Sequence, residues 1–185
     1  MTSSASHGRE VKIKREQLPD QLCDGLKVVF VGTAAGRRSA ESGTYYAHPG
    51  NRFWPTLFEV KLTPRVFKPH EYHDLLPLGI GFTDLSKIAS GMDHDLKSSD
   101  FDCKLFGEKL SRYKPRAIAF TSKTAASVWL GQKTRQISLG RQTDRKPDFP
   151  EIFVLPSPSG TAVRYWTLRP WYELGSWFRS TGSAL

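Results

Sequence analysis

The sequence has little of what stabilises disulfide-rich or metal-binding proteins. Only two of its 185 residues are cysteines. Cys23 and Cys103 stand far apart, and neither belongs to a CxxC pair or to the Cys/His spacings of zinc sites. This pattern excludes a disulfide scaffold and argues against a structural zinc site, so we expect two reduced thiols. No metal ion and no cofactor are predicted.

Long apolar runs are also missing. No stretch approaches the roughly 18–20 apolar residues that a membrane-spanning helix needs, and the N-terminus has no apolar segment of the kind found in signal peptides. We therefore expect a cytoplasmic protein of a bacterium, without a membrane partner. Residues 1–20 are polar and basic and predict a flexible tail, which leaves residues 21–185 as a single folded domain.

Acidic residues are outnumbered. The chain has 18 Asp and Glu against 27 Lys and Arg, which gives a formal charge of +9. An excess of this size suits a polyanionic partner, because each phosphate contact releases condensed counterions. A basic, merely solvated surface is the alternative interpretation.

What the sequence does contain is an alternation of buried strands and amphipathic helices. Short apolar runs predict strands, and the segments between them have helical periodicity. This order indicates an α/β fold, a three-layer α/β/α domain with a central, mainly parallel sheet of about four strands. The predicted strands are 27–31, 79–82, 116–121 and 152–156, with an additional edge strand around 136–139; the predicted helices are about 52–60, 102–113, 123–130 and 169–180.

Polar or glycine-rich residues follow each predicted strand. In open parallel sheets, ligands bind outside the carboxyl ends of the strands, so we expect these groups to converge on one cleft. They are Gly32 to Gly36, then Asp84, then Ser122 and Lys123, then Ser157 to Gly160.

The first three of these groups each have two interpretations. The glycines of residues 32–36 predict either a backbone cradle for an oxygen atom or an ordinary strand-to-helix turn. Asp84 is either a functional carboxylate or the cap of a short helix that begins near Leu85. Ser122 and Lys123 either bind phosphate at a helix N-terminus or simply cap that helix.

The segment from Tyr45 to Trp54 combines aromatic residues, His48, a Pro-Gly pair, Asn51 and Arg52 within ten positions. Asn51 can cap the helix that follows. Tyr45 and Tyr46 have no such structural explanation, and an aromatic ring at this place could stack on a flat base.

These residues resemble the mismatch-specific uracil-DNA glycosylase and thymine-DNA glycosylase family. That family has a Gly-Ile-Asn-Pro-Gly motif followed by an aromatic-Ala-His-Pro-x-Asn-Arg-Phe-Trp stretch. The likeness includes residues 28–54, continues through 81–84 and 122–123 to 155–160, and spans roughly residues 26–180.

The resemblance implies an enzyme that flips a damaged base out of double-stranded DNA and hydrolyses its N-glycosidic bond. The expected activity is base excision, as part of DNA repair. Its substrates would be uracil, notably in G:U mismatches, and could include other damaged bases. The backbone around Gly32 and Thr33 would receive the base oxygen, Tyr46 would stack on the base, and a loop from Ser157 would fill the gap left in the duplex. Such an enzyme would be associated with the nucleoid, and we expect a monomer.

The predicted site is therefore divided between the base and the DNA backbone. Residues expected to bind the substrate base are Gly32, Thr33, Ala34, Ser39, Tyr46, Asn51 and Ser157. Residues expected to contact DNA are Arg37, Arg38, Ser122, Lys123, Ser159, Gly160, Thr161 and Arg164, of which 161–164 would intrude into the duplex.

The sequence departs from the family pattern at important positions. Ala34 replaces the Asn that positions the attacking water, Ser157 replaces the Asn of the intruding loop, and Thr161 is smaller than the usual apolar wedge. We therefore predict that Asp84 is the catalytic residue, because a carboxylate can stabilise an oxocarbenium-like sugar and orient water. No lysine fits the pattern of a Schiff-base glycosylase, which predicts a monofunctional enzyme.

Two other functions are compatible with these residues. A binding module of the same fold could recognise lesions or abasic DNA without cleaving the glycosidic bond, and the loss of the Asn at Ala34 favours it. An unrelated nucleotide-binding α/β enzyme is the third alternative, which would need neither a basic face at the strand ends nor a Pro-Ser-Gly loop.

Overall fold

A five-stranded sheet forms the centre of the molecule, in a computed structural model that describes residues 16–143 and 149–181. The strand order is β2-β1-β3-β5-β4. The pairs β1–β2, β1–β3 and β3–β5 are parallel, and β4 is antiparallel to β5. The strands are β1 Val28–Ala35, β2 Ile80–Ser90, β3 Ala117–Phe120, β4 Gly140–Gln142 and β5 Glu151–Val154.

The four parallel strands confirm the predicted sheet, and the fifth strand, β4, pairs with β5 in the antiparallel direction. An edge strand was expected around residues 136–139, but β4 spans Gly140–Gln142 and begins only after that range. Ile137 is buried in the core, and Gly140 enters β4 with a φ of +100°, a conformation that glycine adopts without a steric penalty.

The described residues form five α-helices, of which the first four lie between strands and the last follows β5: α1 Arg37–Ser42, α2 Phe53–Glu59, α3 Cys103–Tyr113, α4 Lys123–Leu130 and α5 Arg169–Ser180. Four of them, α2 to α5, were predicted from periodicity to within a residue or so. Short 3₁₀ segments fill several connections, namely Pro69–Leu78, Asp93–Asp95, Ser98–Asp100, Thr134–Gln136 and Val163–Tyr165.

The helices pack on both faces of the sheet, which confirms the three-layer architecture. On one face, Phe30 of β1 lies 5.0 Å from the ring of Phe53 in α2 and 6.1 Å from that of Trp171 in α5. On the other face, Val31 and Ile118 pack with Phe106 of α3. Because side chains alternate along a strand, the two faces of β1 feed two separate apolar cores.

A short segment before β1 covers the free edge of β2. The Gln17 N–H donates to the Lys87 carbonyl at 2.8 Å, and Gln21 exchanges two backbone hydrogen bonds with Phe82 at 2.9 and 3.0 Å. Leu18 between them is fully buried. We call residues 17–21 the N-terminal strap. The end of the predicted tail is thus packed on the domain, whereas residues 1–15 of that prediction lie outside the described residues.

Over the described ranges, no helix has the length and apolar character needed to cross a lipid bilayer.

Candidate active site

Asp84 lies inside β2 and is paired with Gly32 of β1. A helix starting near Leu85, which would have made Asp84 a cap, is not present, because β2 continues to Ser90. Ala34 pairs with Ser86, two residues further along β2. A β-carbon added to Gly32 would lie 3.5 Å from Asp84 Cγ and collide with Oδ1. The carboxyl group therefore occupies the space above the glycine.

Asp84 is almost completely buried, with 6% of its surface exposed. Burial raises its pKa from 3.8 to about 6; the charges of Lys87 and Lys109 act in the opposite direction, and Asp20 adds to the rise. A carboxyl group with this pKa is mainly ionised at neutral pH yet can take up a proton there. That is the property expected of a general base or of a carboxylate that stabilises positive charge.

Tyr46 interacts electrostatically with this carboxyl group. Burial raises the pKa of Tyr46, and the Asp84 charge raises it further, so the phenol stays protonated. One face of its ring stacks on Phe53 at 3.8 Å, and its hydroxyl donates to Thr121 Oγ1 at 3.3 Å. The backbone of Tyr46 has a φ of +52°, an uncommon conformation for a bulky residue that often marks a functional position.

The ends of β1 and β3 meet at the same place. The Thr33 and Ser122 hydroxyl oxygens are 3.4 Å apart. Ser122 is also the N-cap of α4, where its Oγ accepts from the Ala125 N–H at 3.0 Å. Ser122 thus caps α4, as one of its two interpretations predicted. Lys123 is the first residue of α4, is half-buried and lies close to the strand ends.

Ser39 has a structural bond in this region. It is buried, and its Oγ accepts a hydrogen bond from the Ala47 N–H at 3.1 Å. This bond ties α1 to the loop that carries Tyr46. Arg37 and Arg38, on the first turn of α1, are exposed to solvent.

The His-Pro-Gly-Asn-Arg segment is a compact turn. The Asn51 N–H donates to the His48 carbonyl at 2.8 Å, and Asn51 Oδ1 accepts from the Phe53 N–H at 2.9 Å, as its capping role predicted. His48 Nδ1 accepts from the Gly50 N–H at 3.0 Å. The polar groups of this motif are thus mostly occupied in shaping the turn.

This turn docks directly on the loop after β5. The Arg52 N–H donates to the Pro158 carbonyl at 2.8 Å. A β-carbon on Gly160 would lie only 2.9 Å from the Gly50 carbonyl oxygen. The two glycines therefore allow the two backbones to touch, and the predicted base-binding turn and the predicted DNA loop form one unit.

The loop itself is held by local hydrogen bonds. Ser157 Oγ accepts from the Ser159 N–H at 3.3 Å, and the Ser159 and Thr161 hydroxyl oxygens are 3.0 Å apart. Beyond it, Arg164 is exposed, and Val163 and Tyr165 have 60% and 74% of their surface in solvent. Tyr165 was not predicted; an aromatic residue next to Arg164 in a polar loop was the signal available for it.

A partly buried charge cluster on the other face of β2 was also missed. Asp20 of the strap pairs with Lys87 Nζ at 2.7 Å and with Lys109 Nζ of α3 at 2.5 Å, and Thr83 Oγ1 donates to the same carboxylate at 2.7 Å. We call Asp20, Thr83, Lys87 and Lys109 the Asp20 cluster. Each charge alone resembles an ordinary surface residue, so the sequence contains no local signal for it.

Among residues 16–143 and 149–181, no three His, Cys, Asp or Glu side chains come together in a way that could hold a metal ion. The arrangement at the strand ends is thus a buried carboxylate, a stacked phenol and two hydroxyls, next to a basic surface. Comparison with known families identifies the family of the chain: the sequence profile of the uracil DNA glycosylase superfamily matches residues 19–178.

The chain belongs to the uracil DNA glycosylase superfamily. Its fold is also similar to a solution NMR structure of a Methanosarcina acetivorans protein that is provisionally named a uracil DNA glycosylase. That comparison has a TM-score of 0.60 at 22% identity and covers 90% of this chain and 97% of the other. Superfamily membership confirms the broader relationship that the sequence motifs indicated.

Proposed function

We propose that this uracil DNA glycosylase superfamily member is a monofunctional, monomeric enzyme that excises uracil, notably opposite guanine, from double-stranded DNA. The observation that carries the proposal is the buried Asp84 carboxyl over Gly32 and beside Tyr46, at the carboxyl ends of the strands. Ligands bind at this edge in open parallel sheets. Superfamily membership supports a hydrolase acting on an N-glycosidic bond in DNA.

The base must leave the duplex before it can reach a buried carboxylate. Tyr46 offers a support for a flat ring, because Phe53 backs one of its faces and its remaining ring contacts are tilted or edge-on. The backbone of residues 32–34 would receive the oxygen atoms of the base. Thr161 to Arg164, beside exposed Val163 and Tyr165, would occupy the gap in the stack.

In the proposed reaction the bond between C1′ and the base nitrogen breaks, and its electron pair leaves with the base. The positive charge that develops on the sugar is stabilised by the Asp84 carboxylate. Water then adds to C1′ and loses a proton to Asp84 or to solvent. Positioning or base help of this kind contributes about 10²–10⁴-fold to a rate.

The position of Lys87 supports hydrolysis by water rather than attack by the amine of this residue. This lysine is close to Asp84 in sequence, but it is bound to Asp20 in the cluster on the opposite face of β2. Asp84 would take over the role of the Asn that Ala34 replaces, from the neighbouring strand.

A protein that binds lesions or abasic sites without cleavage is the second candidate. Ala34 favours it, because an alanine cannot hold a water molecule at the position where the family has an amide. The buried carboxylate argues against it, because a charge desolvated without a function would only destabilise the fold.

The test uses duplexes with uracil opposite guanine or adenine, and a matched duplex with cytosine. After incubation, alkali cleaves any abasic sites, and strand breaks are counted. We expect breaks with the wild type on uracil only, and a loss of about 10²–10⁴-fold in Asp84→Asn. Asp24→Asn is the matched control, because Asp24 is exposed just before the start of β1.

Three outcomes are informative. Equal activity of Asp84→Asn and the wild type would contradict the catalytic role of Asp84. No breaks with any uracil duplex, together with tight binding to an abasic duplex, would favour the binding protein. Tyr46→Ala should lose excision while its salt-sensitive affinity for undamaged DNA stays the same, because that affinity depends on phosphate contacts.

A further inference from the structure

The Asp20 cluster surrounds the strand position of Asp84. Thr83 directly precedes Asp84, and Lys87 follows it by three residues, so the two bonds to Asp20 flank it along β2. Backbone bonds from Gln17 to Lys87 and from Gln21 to Phe82 enclose the same stretch. On the opposite edge, β2 pairs with β1 at Gly32. The strand segment that carries Asp84 is therefore fastened on both edges and from beneath.

We propose that Asp20, Lys87 and Lys109 are positioning residues for Asp84, which hold its strand in register with Gly32 and keep one net positive charge close to its carboxylate. The proposal rests on the catalytic role proposed above for Asp84. The three lie away from the reacting atoms, because Lys87 points to the face of β2 opposite to Asp84 and binds Asp20, which also binds Lys109.

The net charge of the cluster distinguishes a positioning role from a purely structural one, because a nearby charge changes the pKa of Asp84. The two lysines and one aspartate sum to +1 while all are ionised. Burial alone would raise the pKa of Asp20, yet Lys87, Lys109 and the Thr83 hydroxyl bring it below its usual value, so the Asp20 carboxylate is ionised at neutral pH. The cluster lysines lower the pKa of Asp84, and Asp20 raises it.

Among the described residues, the other titratable groups on which the Asp84 charge acts are Tyr45 and Tyr46. Burial raises the pKa of both phenols, and the charge of Asp84 raises it further. They stay neutral across the useful pH range. A change in the charge of the cluster should therefore appear directly in the titration of Asp84.

The experiment compares Lys87→Met with Asp20→Asn. Both remove the same ion pair, but they remove opposite charges. Lys87→Met should move the pKa of Asp84 upward and Asp20→Asn should move it downward. Direct contact with a charge shifts a carboxyl pKa by about 1–3 units, and because the cluster lies across the strand we expect about 0.5–1 unit.

Two readouts measure this shift. One is the acid limb of the excision rate against pH, and the other is a carbon-13 NMR titration of the Asp84 carboxyl, assigned with Asp84→Asn. The double variant Asp20→Asn with Lys87→Met leaves the net charge at +1, so its titration should return towards the wild type. Lys104→Met on α3 is the matched control, because that lysine has 91% of its side chain exposed.

Shifts of opposite sign in the two single variants, with a return in the double variant, would support the proposal. Shifts of the same sign, or none, would overturn it, because a purely structural cluster responds alike to either loss. If Lys87→Met does not fold, Lys109→Met carries the same prediction. A wild type without uracil excision would contradict the proposed function, whereas the NMR titration would still decide this inference.

Discussion

The Asp84 carboxyl group lies over Gly32 on the neighbouring strand, in the space that a β-carbon at residue 32 would need. This relationship explains why glycine stands at that position of β1, where φ is not positive and the backbone itself would accept another residue. The glycine makes room for a buried charge.

Gly32→Ala is expected to reduce uracil excision by about 10²-fold, because a displacement of about 1 Å at a reacting group can have that effect. The new methyl group would push the carboxyl away from its place, and steady-state rates on a uracil duplex measure the loss. Gly36→Ala is the control, since nothing lies within 4 Å of a β-carbon there. Thermal melting tests the cause of the loss. In an Asp84→Ala background, Gly32→Ala should have little effect on the melting temperature, because the colliding carboxyl is gone. A large further decrease in melting temperature would show that the added methyl group collides with another group.

Asp84→Asn is expected to stabilise the protein while it removes activity. The native pKa of about 6 exceeds the ordinary 3.8, so between these values the folded state holds a proton that the unfolded state has lost. The free energy of unfolding of the wild type therefore falls as pH rises from about 4 to about 6. The shift corresponds to about 3 kcal/mol, since each pKa unit is worth 1.36 kcal/mol.

Urea unfolding at a series of pH values tests this prediction. The wild type should lose stability across the window, and Asp84→Asn should lose much less and be the more stable protein at about pH 7.5. A variant that is less stable than the wild type at neutral pH would show that the ionised carboxylate is well compensated.

Gly160→Ala is expected to weaken binding to an abasic duplex and to lower the free energy of unfolding by about 1–3 kcal/mol, the usual cost of overpacking. The added methyl group would separate the backbone of the loop after β5 from Gly50. Fluorescence anisotropy and thermal melting measure both effects. Gly107→Ala in α3 is the control, because its methyl group would meet the Trp129 ring at an ordinary 3.5 Å. Unchanged affinity in Gly160→Ala would mean that the two loops bind DNA independently.

Arg37→Gln, Arg38→Gln and Arg164→Gln are each expected to make DNA binding less sensitive to salt. Each lost phosphate contact should reduce the slope of log K against log salt by about 0.9. Binding to an undamaged duplex at several salt concentrations measures it. Arg112→Gln is the control, because Arg112 is exposed at the end of α3, just before the start of β3. An equal change in Arg112→Gln would indicate a general charge effect instead of a defined DNA-binding face.

Much of the fold could be predicted because its elements have local signals. Runs such as 28–31 and 117–120 are apolar on both faces, as parallel strands between two helical layers must be. β2 was predicted only for residues 79–82, since Thr83, Asp84, Ser86 and Lys87 interrupt its apolar pattern. These polar residues are nevertheless buried, and what makes their burial possible comes from distant parts of the chain.

The site shows the same division. Asp84 and Tyr46 could be singled out because one follows an apolar run and the other lies in a recognisable motif, and their roles stay predictions. The Asp20 cluster could not, because Asp20, Lys87 and Lys109 meet only when the strap, β2 and α3 come together in three dimensions. An isolated lysine in a sequence indicates a solvated surface, and burial depends on a partner that periodicity cannot reveal.

The N-terminal strap has a consequence for the state of the protein in solution. An uncovered edge of β2 would present a row of unpaired N–H and C=O groups, which is a template for pairing with another chain. Residues 17–21 satisfy part of that row at Gln17 and Gln21, and the opposite edge is a strand of only three residues. A chain shortened to begin after residue 21 would therefore expose the edge of β2 to pairing with another chain and be prone to aggregate.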